Sequence, residues 1–249
     1  MDLKTAIRVI AAVGNNAGLS KAGYIKVGYS CNNHCLFCTA EWKKYHEDRS
    51  TFAVIEEIER IVSEDEPGTI VYSGGEPTVR GDLPRIVEHA RSLGVEQQVV
   101  QTNARRLADL TYLNALCDAG VTSFFVSIHG PDSGTHDYLT RASGAFYQTC
   151  SGLSNLERRG VSYSTNTVVC KQNYRGLNKL VAFLATSFPS VTQAKLSYPN
   201  LQGGAADNLS EVVAPLWEVA PFVSAAIERG DETGLYVTTE FVPICLLGT

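Results

Sequence analysis

YIKVGYSCNNHCLFC, residues 24–38, runs an alternating, β-branched stretch into a loop that carries three cysteines, Cys31, Cys35 and Cys38. YIKVGYS (24–30) has the period of a strand, and TFAVIEEIERIV (51–62) places Val54, Ile58, Ile61 and Val62 on one helical face. Strand, loop, helix is the unit, and the chain repeats it. TIVY (69–72) precedes a helix with Asp82 as N-cap and Pro84 in its first turn, and QQVVQT (97–102) precedes a helix around 111–119 that Gly120 ends. SFFVSI (123–128), SYSTNTVV (162–169) and AKLSY (194–198) each precede a further candidate helix. Six such repeats imply parallel neighbours joined by helical crossovers. The expected fold class is therefore α/β, a partial (β/α)6 TIM-like barrel with parallel strands and outer helices. Periodicity alone leaves a doubly wound open sheet as the alternative. LQGGAADN (201–208) reads as a loose loop after the sixth strand.

A chain of 249 residues, 44% hydrophobic, can bury one large core, and no Pro-, Gly- or Ser-rich linker divides it. Three segments are expected: an N-terminal piece (1–22), the barrel (23–209), and a C-terminal helix and strand (210–249) that could begin an auxiliary region. The net charge of −5 offers no broad basic footprint for nucleic acid or anionic lipid. The apolar run Val9 to Val13 is too short for a signal sequence, and no other run approaches a membrane span of about 18 residues. A cytoplasmic protein is expected. Seven cysteines, an odd number with three in one place, point to metal or redox chemistry rather than a disulfide framework.

In parallel α/β folds the ligand site lies at the carboxyl ends of the strands. CNNHCLFC follows the first strand, SGGEPT (73–78) the second, TNA (102–104) the third, SIHGPD (127–132) the fourth and SYPNLQGG (197–204) the sixth, so all are expected on one rim. Three cysteines leave a tetrahedral zinc or a four-thiolate cluster one ligand short. His34 or His46 could complete a zinc site, but zinc explains neither the cysteine spacing nor GGEP.

CxxxCxxC after the first strand with GGEP after the second resembles the radical S-adenosylmethionine (radical SAM) superfamily, from about Gly23 to about Gly204. The resemblance implies that Cys31, Cys35 and Cys38 bind three irons of a [4Fe–4S] cluster whose fourth iron is chelated by SAM. It implies an enzyme that reductively cleaves SAM to a 5′-deoxyadenosyl radical, which takes hydrogen from an organic substrate. The matching positions are Phe37, beside the adenine; Gly74, Gly75, Glu76 and Pro77, receiving the methionyl amino group; Thr102 and Asn103, with Ala104 in place of a family glycine; Ser127, at the ribose; and Arg141, near the SAM carboxylate.

Catalytic or substrate candidates are His129, Cys170 and Tyr198, with Asn200 and Gln202 beside the last. Cys117 and Cys150 read as small core residues on helices. VPICLLG (242–248) resembles the approach to an auxiliary-cluster region of the SPASM or twitch type, which uses several more cysteines, and the scattered Cys117, Cys150, Cys170 and Cys245 are not expected to converge on a second cluster. The expected substrate is a ribosomally made peptide, with a small metabolite as the alternative, and the expected electron donor is a flavodoxin or ferredoxin. A non-enzymatic iron–sulfur or zinc protein is the rival from another class. No segment resembles a cobalamin-binding domain.

Overall fold

A computed structural model describes residues 22–39 and 47–247. The run from Val9 to Val13, nearly all of the N-terminal segment, and His46 lie outside the described residues. Seven parallel strands stand side by side in sequence order. They are β1 Ala22–Gly28, β2 Thr69–Gly74, β3 Gln97–Thr102, β4 Ser123–Ser127, β5 Ser162–Val168, β6 Ala194–Ser197 and β7 Val237–Glu240. The unbroken order excludes a doubly wound sheet, whose strand order reverses at a switch point. The fold is the α/β partial barrel.

Helices fill the crossovers: α1 Thr51–Asp65, α2 Leu83–Ser92, α3 Leu110–Ala119, α4 Ser133–Thr140, α5 Ala145–Arg159 and α6 Leu177–Ser187. After β6 come two single turns, α7 Gly204–Asp207 and α8 Leu209–Val212, and then α9 Leu216–Thr233. The α1 stripe buries Val54, Ile58 and Ile61, and the Ser50 side chain caps it by accepting from Ala53 N–H at 3.1 Å. Asp82 occupies the N-cap position of α2 but makes no side-chain cap. Its carboxylate accepts instead from Thr51 and, at 3.0 and 2.7 Å, from Arg80.

Each strand alternates between two environments. Ile25, Val27, Ile70, Tyr72, Val100, Phe124, Val126, Tyr163 and Leu196 are buried in one core with Ile58, Leu83, Ile86, Leu116, Leu153 and Leu184 of the helices. The opposite face carries Lys26, Ser73, Gln101, Ser127, Asn166 and Lys195, all half-buried or exposed. A sheet buried on both faces would carry apolar residues on both. Here the concave face mixes these polar residues with Val71, Val99, Phe125 and Val168, and the barrel holds a cavity.

Three details depart from the sequence reading. β1 stops at Gly28 instead of Ser30, because its register with β2 breaks between Lys26 and Gly28. The stretch 201–208 is not loose: it forms α7 and docks on the cysteine loop, with Gly204 N–H donating to the Cys38 carbonyl at 2.8 Å and Asn208 Nδ2 to the Leu36 carbonyl at 3.0 Å. The C-terminal strand, expected outside the barrel, joins the sheet as β7, pairing with β6 from Ala194↔Val237 to Ser197↔Glu240, while α9 packs on α6.

Candidate active site

The three cysteines, all half-buried, line one cavity of about 460 Å³. That volume suits a small organic ligand, for which pockets of roughly 300–1,000 Å³ are usual. Phe37, Gly74, Gly75, Glu76, Thr102, Asn103, Ser127, His129, Asn200 and Gln202 line it too. The ends of four strands and the stretch after β6 thus converge as the motif order predicts.

The cysteine loop is fixed by its backbone. His34 N–H and Leu36 N–H donate to the carbonyls of Thr140 and Leu139 at 2.9 and 3.0 Å, and Cys38 N–H donates to Cys35 at 3.1 Å. Below it lies a small core of its own, Leu36, Phe37, Leu139, Cys170, Ala205 and Val212.

Gly74 has φ of +130°, and a β-carbon there would overlap the Gly28 carbonyl; one on Gly75 would overlap the carbonyls of Tyr29 and Ser30. The amides of Gly75 and Glu76 donate to Gly28 and Ser30 at 3.0 and 2.8 Å. The two glycines therefore let the β2 loop dock on the chain entering the cysteine loop, a closer contact than the ligand approach that their motif suggests.

Glu76 is buried and its carboxylate is held by four donors. Oε1 accepts from Thr78 N–H at 3.1 Å and from the hydroxyls of Thr78 and Thr102 at 2.6 Å each; Oε2 accepts from Asn103 N–H at 2.7 Å. Burial pushes its carboxyl above the ordinary value, against the hydrogen bonds, which favour the charged form. Pro77, buried, opens the short turn that follows and is not among the residues lining the cavity.

The end of β3 grips the cysteine loop. Asn103 Nδ2 donates to Asn32 Oδ1 at 2.7 Å, and Arg105 donates to the Asn32 carbonyl, to Asn33 Oδ1 at 2.7 Å and to Gln148 at 2.7 Å. Arg105 escapes sequence reasoning, because a basic residue after TNA does not reveal a partner more than 70 positions away. Ala104 stands where the family has glycine and adopts left-handed φ, +59°. A non-glycine residue pays about 1–2 kcal/mol there, and a buried methyl returns about 0.8 kcal/mol. Ala104→Gly should therefore raise the thermal midpoint by about 1–3 °C, read by calorimetry; a fall would show that packing of the methyl outweighs the strain.

His129 is buried on the cavity wall, edge-on to Phe37 with ring centroids 4.7 Å apart. Its Nδ1 accepts from Val168 N–H at 3.3 Å, which places the ring proton on Nε2. Burial, and then neighbouring His136, hold it well below the ordinary imidazole range. His136, unsuspected from sequence, accepts from the His129 amide at 3.1 Å and is lowered to about 4, mainly by burial.

Three sequence candidates fall away from the cavity wall. Cys170 is wholly buried in the small core, where burial and nearby Cys35 raise its thiol; a neutral, enclosed thiol is no nucleophile. Tyr198 donates its hydroxyl to the Ala214 carbonyl at 2.7 Å. Arg141 is exposed at the left-handed C-cap of α4, φ +50°, outside the lining.

Among the described residues, no three of His, Cys, Asp and Glu converge on a point that could hold one ion. His34 is exposed, with its amide committed to the Thr140 carbonyl. The three thiols line one cavity, and a cuboidal cluster asks for that chemistry and not for one shared point, since each thiolate would bind its own iron and soft sulfur ligands suit the metal.

The model of the radical SAM superfamily matches residues 25–184. The chain is 31% identical over 150 residues to the AdoMet-dependent heme synthase of Oleidesulfovibrio alaskensis, covering 59% of this chain and 38% of that protein. It is 32% identical over 153 residues to the GTP 3',8-cyclase of Tolumonas auensis, covering 59% and 44%. The chain thus aligns with less than half the length of each. Among solved structures, SuiB of Streptococcus suis bound to S-adenosylmethionine superposes with a TM-score of 0.71 at 17% identity, covering 96% of this chain and 55% of that one. SuiB has also been solved with its precursor peptide SuiA.

Proposed function

On the premise that the chain belongs to the radical SAM superfamily, we propose that Cys31, Cys35 and Cys38 hold a [4Fe–4S] cluster and that the cavity beside them binds S-adenosylmethionine. The observation that carries this reading is the gathering of three thiols and four strand ends around one cavity. When bound, the pair would supply reductive cleavage of SAM to a 5′-deoxyadenosyl radical able to take hydrogen from substrate.

The chain's own residues would bind, orient and exclude. The loop backbone presents the thiols, and Arg105 and Asn103 hold that loop against β3. Glu76 offers a buried negative charge to the methionyl ammonium, whose approach would favour its ionised form. Thr102 and Asn103 keep Glu76 in place while lining the cavity, and Ser127 supplies a hydroxyl. Phe37 and His129 form a buried, edge-on pair that helps to keep water out, with a fixed Nε2–H donor on His129.

A peptide is the favoured substrate, with a small metabolite as the alternative, and the reductant would be a flavodoxin or ferredoxin. Anaerobically reconstituted, reduced protein should convert SAM to 5′-deoxyadenosine; failure to do so would favour a non-enzymatic iron–sulfur protein.

Iron content tests the number of clusters. Cys245 is exposed on a short turn, Cys117 and Cys150 sit half-buried on α3 and α5, and Cys170 is enclosed. Reconstitution should give about four irons and four sulfides per chain, and Cys245→Ala should keep them all. A content near eight that falls in Cys245→Ala would reveal an auxiliary cluster.

A further inference from the structure

The concave face does not end at the SAM cavity. Ser127 and Val168 line that cavity, and residues paired directly across parallel strands share a face. Ser127 pairs with Asn166, Asn166 with Lys195, Val168 with Ser197, and Ser197 with Glu240. The inner wall of β5, β6 and β7 therefore presents Asn166, Lys195, Ser197 and Glu240 beside the cofactor cavity.

These side chains touch one another. Ser197 Oγ lies 2.7 Å from Asn166 Oδ1 and 3.2 Å from Glu240 Oε2, and Lys195 Nζ lies 3.7 Å from Glu240 Oε1 and 5.7 Å from the Phe125 ring centroid. Ser197 is buried, whereas Lys195 and Glu240 stay 32% and 44% exposed. Asn166 accepts from Ser197 with its carbonyl oxygen, and its amide nitrogen is the donor end of the same side chain.

A half-exposed ion pair at 3.7 Å is worth less than about 1 kcal/mol. It is not what fixes β7 to the sheet, which the backbone ladder already does. Its charges can exchange each other for ligand groups at little cost. The wall offers one anion, one cation and an amide donor. An adjacent anion and cation match the ammonium and carboxylate of one amino-acid unit, and the amide matches its backbone polar groups.

Resting on the SAM-site reading above, we infer that this wall is the substrate subsite and that it recognises an amino-acid unit. Glu240 takes the ammonium or amide N–H, and Lys195 with Asn166 takes the carboxylate or carbonyl. The unit can be a free amino acid or part of a peptide.

The test is equilibrium dialysis of reconstituted, SAM-loaded protein against five probes: the mixed common amino acids, a randomised tripeptide library, the same library N-acetylated and C-amidated, GTP, and heme. Retained molecules are identified by mass spectrometry. Retention of the free amino acids alone points to a zwitterion, and retention of the capped library to a peptide unit; either supports the inference. Glu240→Gln and Lys195→Met should each weaken that retention by about tenfold, the worth of a hydrogen bond to a charged group, with wild-type iron content as the check that the variants fold. Retention of GTP or heme alone, of no probe, or equal retention by wild type and both variants overturns it. SAM cleavage by the wild type without probes is measured separately, so a failure of the SAM-site reading shows itself independently.

Discussion

Alanine at any one of Cys31, Cys35 or Cys38 is expected to abolish the sulfur-to-iron charge-transfer absorbance and all SAM cleavage, while the metal-free protein keeps its thermal midpoint. The two halves of that result have different causes. Two thiolates cannot hold a cube with one open corner, so loss of the cluster is all or none. The loop, however, does not depend on its sulfurs for shape. It is fixed by the Leu139, Thr140 and Gly204 backbone, by Asn103 and Arg105, and by the small core beneath Leu36 and Phe37. Asn33 N–H reaches Cys31 Sγ at 3.4 Å, a weak interaction beside these. A single variant with wild-type iron and SAM turnover would remove that cysteine from the ligand set. A large drop in the metal-free midpoint would show that the sulfur also serves packing.

The sequence revealed the barrel because its strand and helix periods are local properties. β3 runs from Gln97 to Thr102, the stretch read from its alternation, and Gly120 closes α3 with φ of +131°. What could not be read depends on distant partners. Tyr29 and Ser30 look like strand but leave β1, since their carbonyls face Gly75 and Glu76, more than 40 residues on. Asp82 has the chemistry of a cap yet is claimed by Arg80 and Thr51.

The site divides the same way. Motif spacing brought Cys31, Glu76, Asn103 and Ser127 to one cavity, since strand ends place them there whatever their partners. Motif spacing could not show that Arg105 and Asn103 clamp the cysteine loop, or that the glycines of GGEP serve a contact between chain segments. Arg141 was suggested by the family resemblance and Cys170 and Tyr198 by their positions at strand ends; Arg141 is exposed, Cys170 is enclosed in the small core and Tyr198 is bonded to Ala214, and none of the three lines the cavity.

Glu76→Ala is expected to cost about 3 kcal/mol of stability and to weaken SAM binding by roughly ten- to a hundredfold, with the cluster still assembled. The stability loss follows from the four donors on its carboxylate. The hydroxyls of Thr78 and Thr102 can turn to other acceptors, but the buried amides of Thr78 and Asn103 cannot, and each orphaned group costs about 1–3 kcal/mol. The affinity loss is that of a charge-assisted hydrogen bond, about 1.5–3 kcal/mol. Glu76→Gln separates charge from shape. Burial raises the folded carboxyl above its ordinary value near 4.5, so the folded protein holds this proton more tightly than the unfolded chain does. Ionisation therefore removes stability as pH rises from about 4.5 through the folded value. Denaturant unfolding across that range should show the wild type losing ground to Glu76→Gln as pH increases, while SAM titration at neutral pH shows the glutamine variant binding more weakly. Unchanged SAM affinity in both variants would leave Glu76 a structural clasp between β2 and β3 and remove it from the cofactor site.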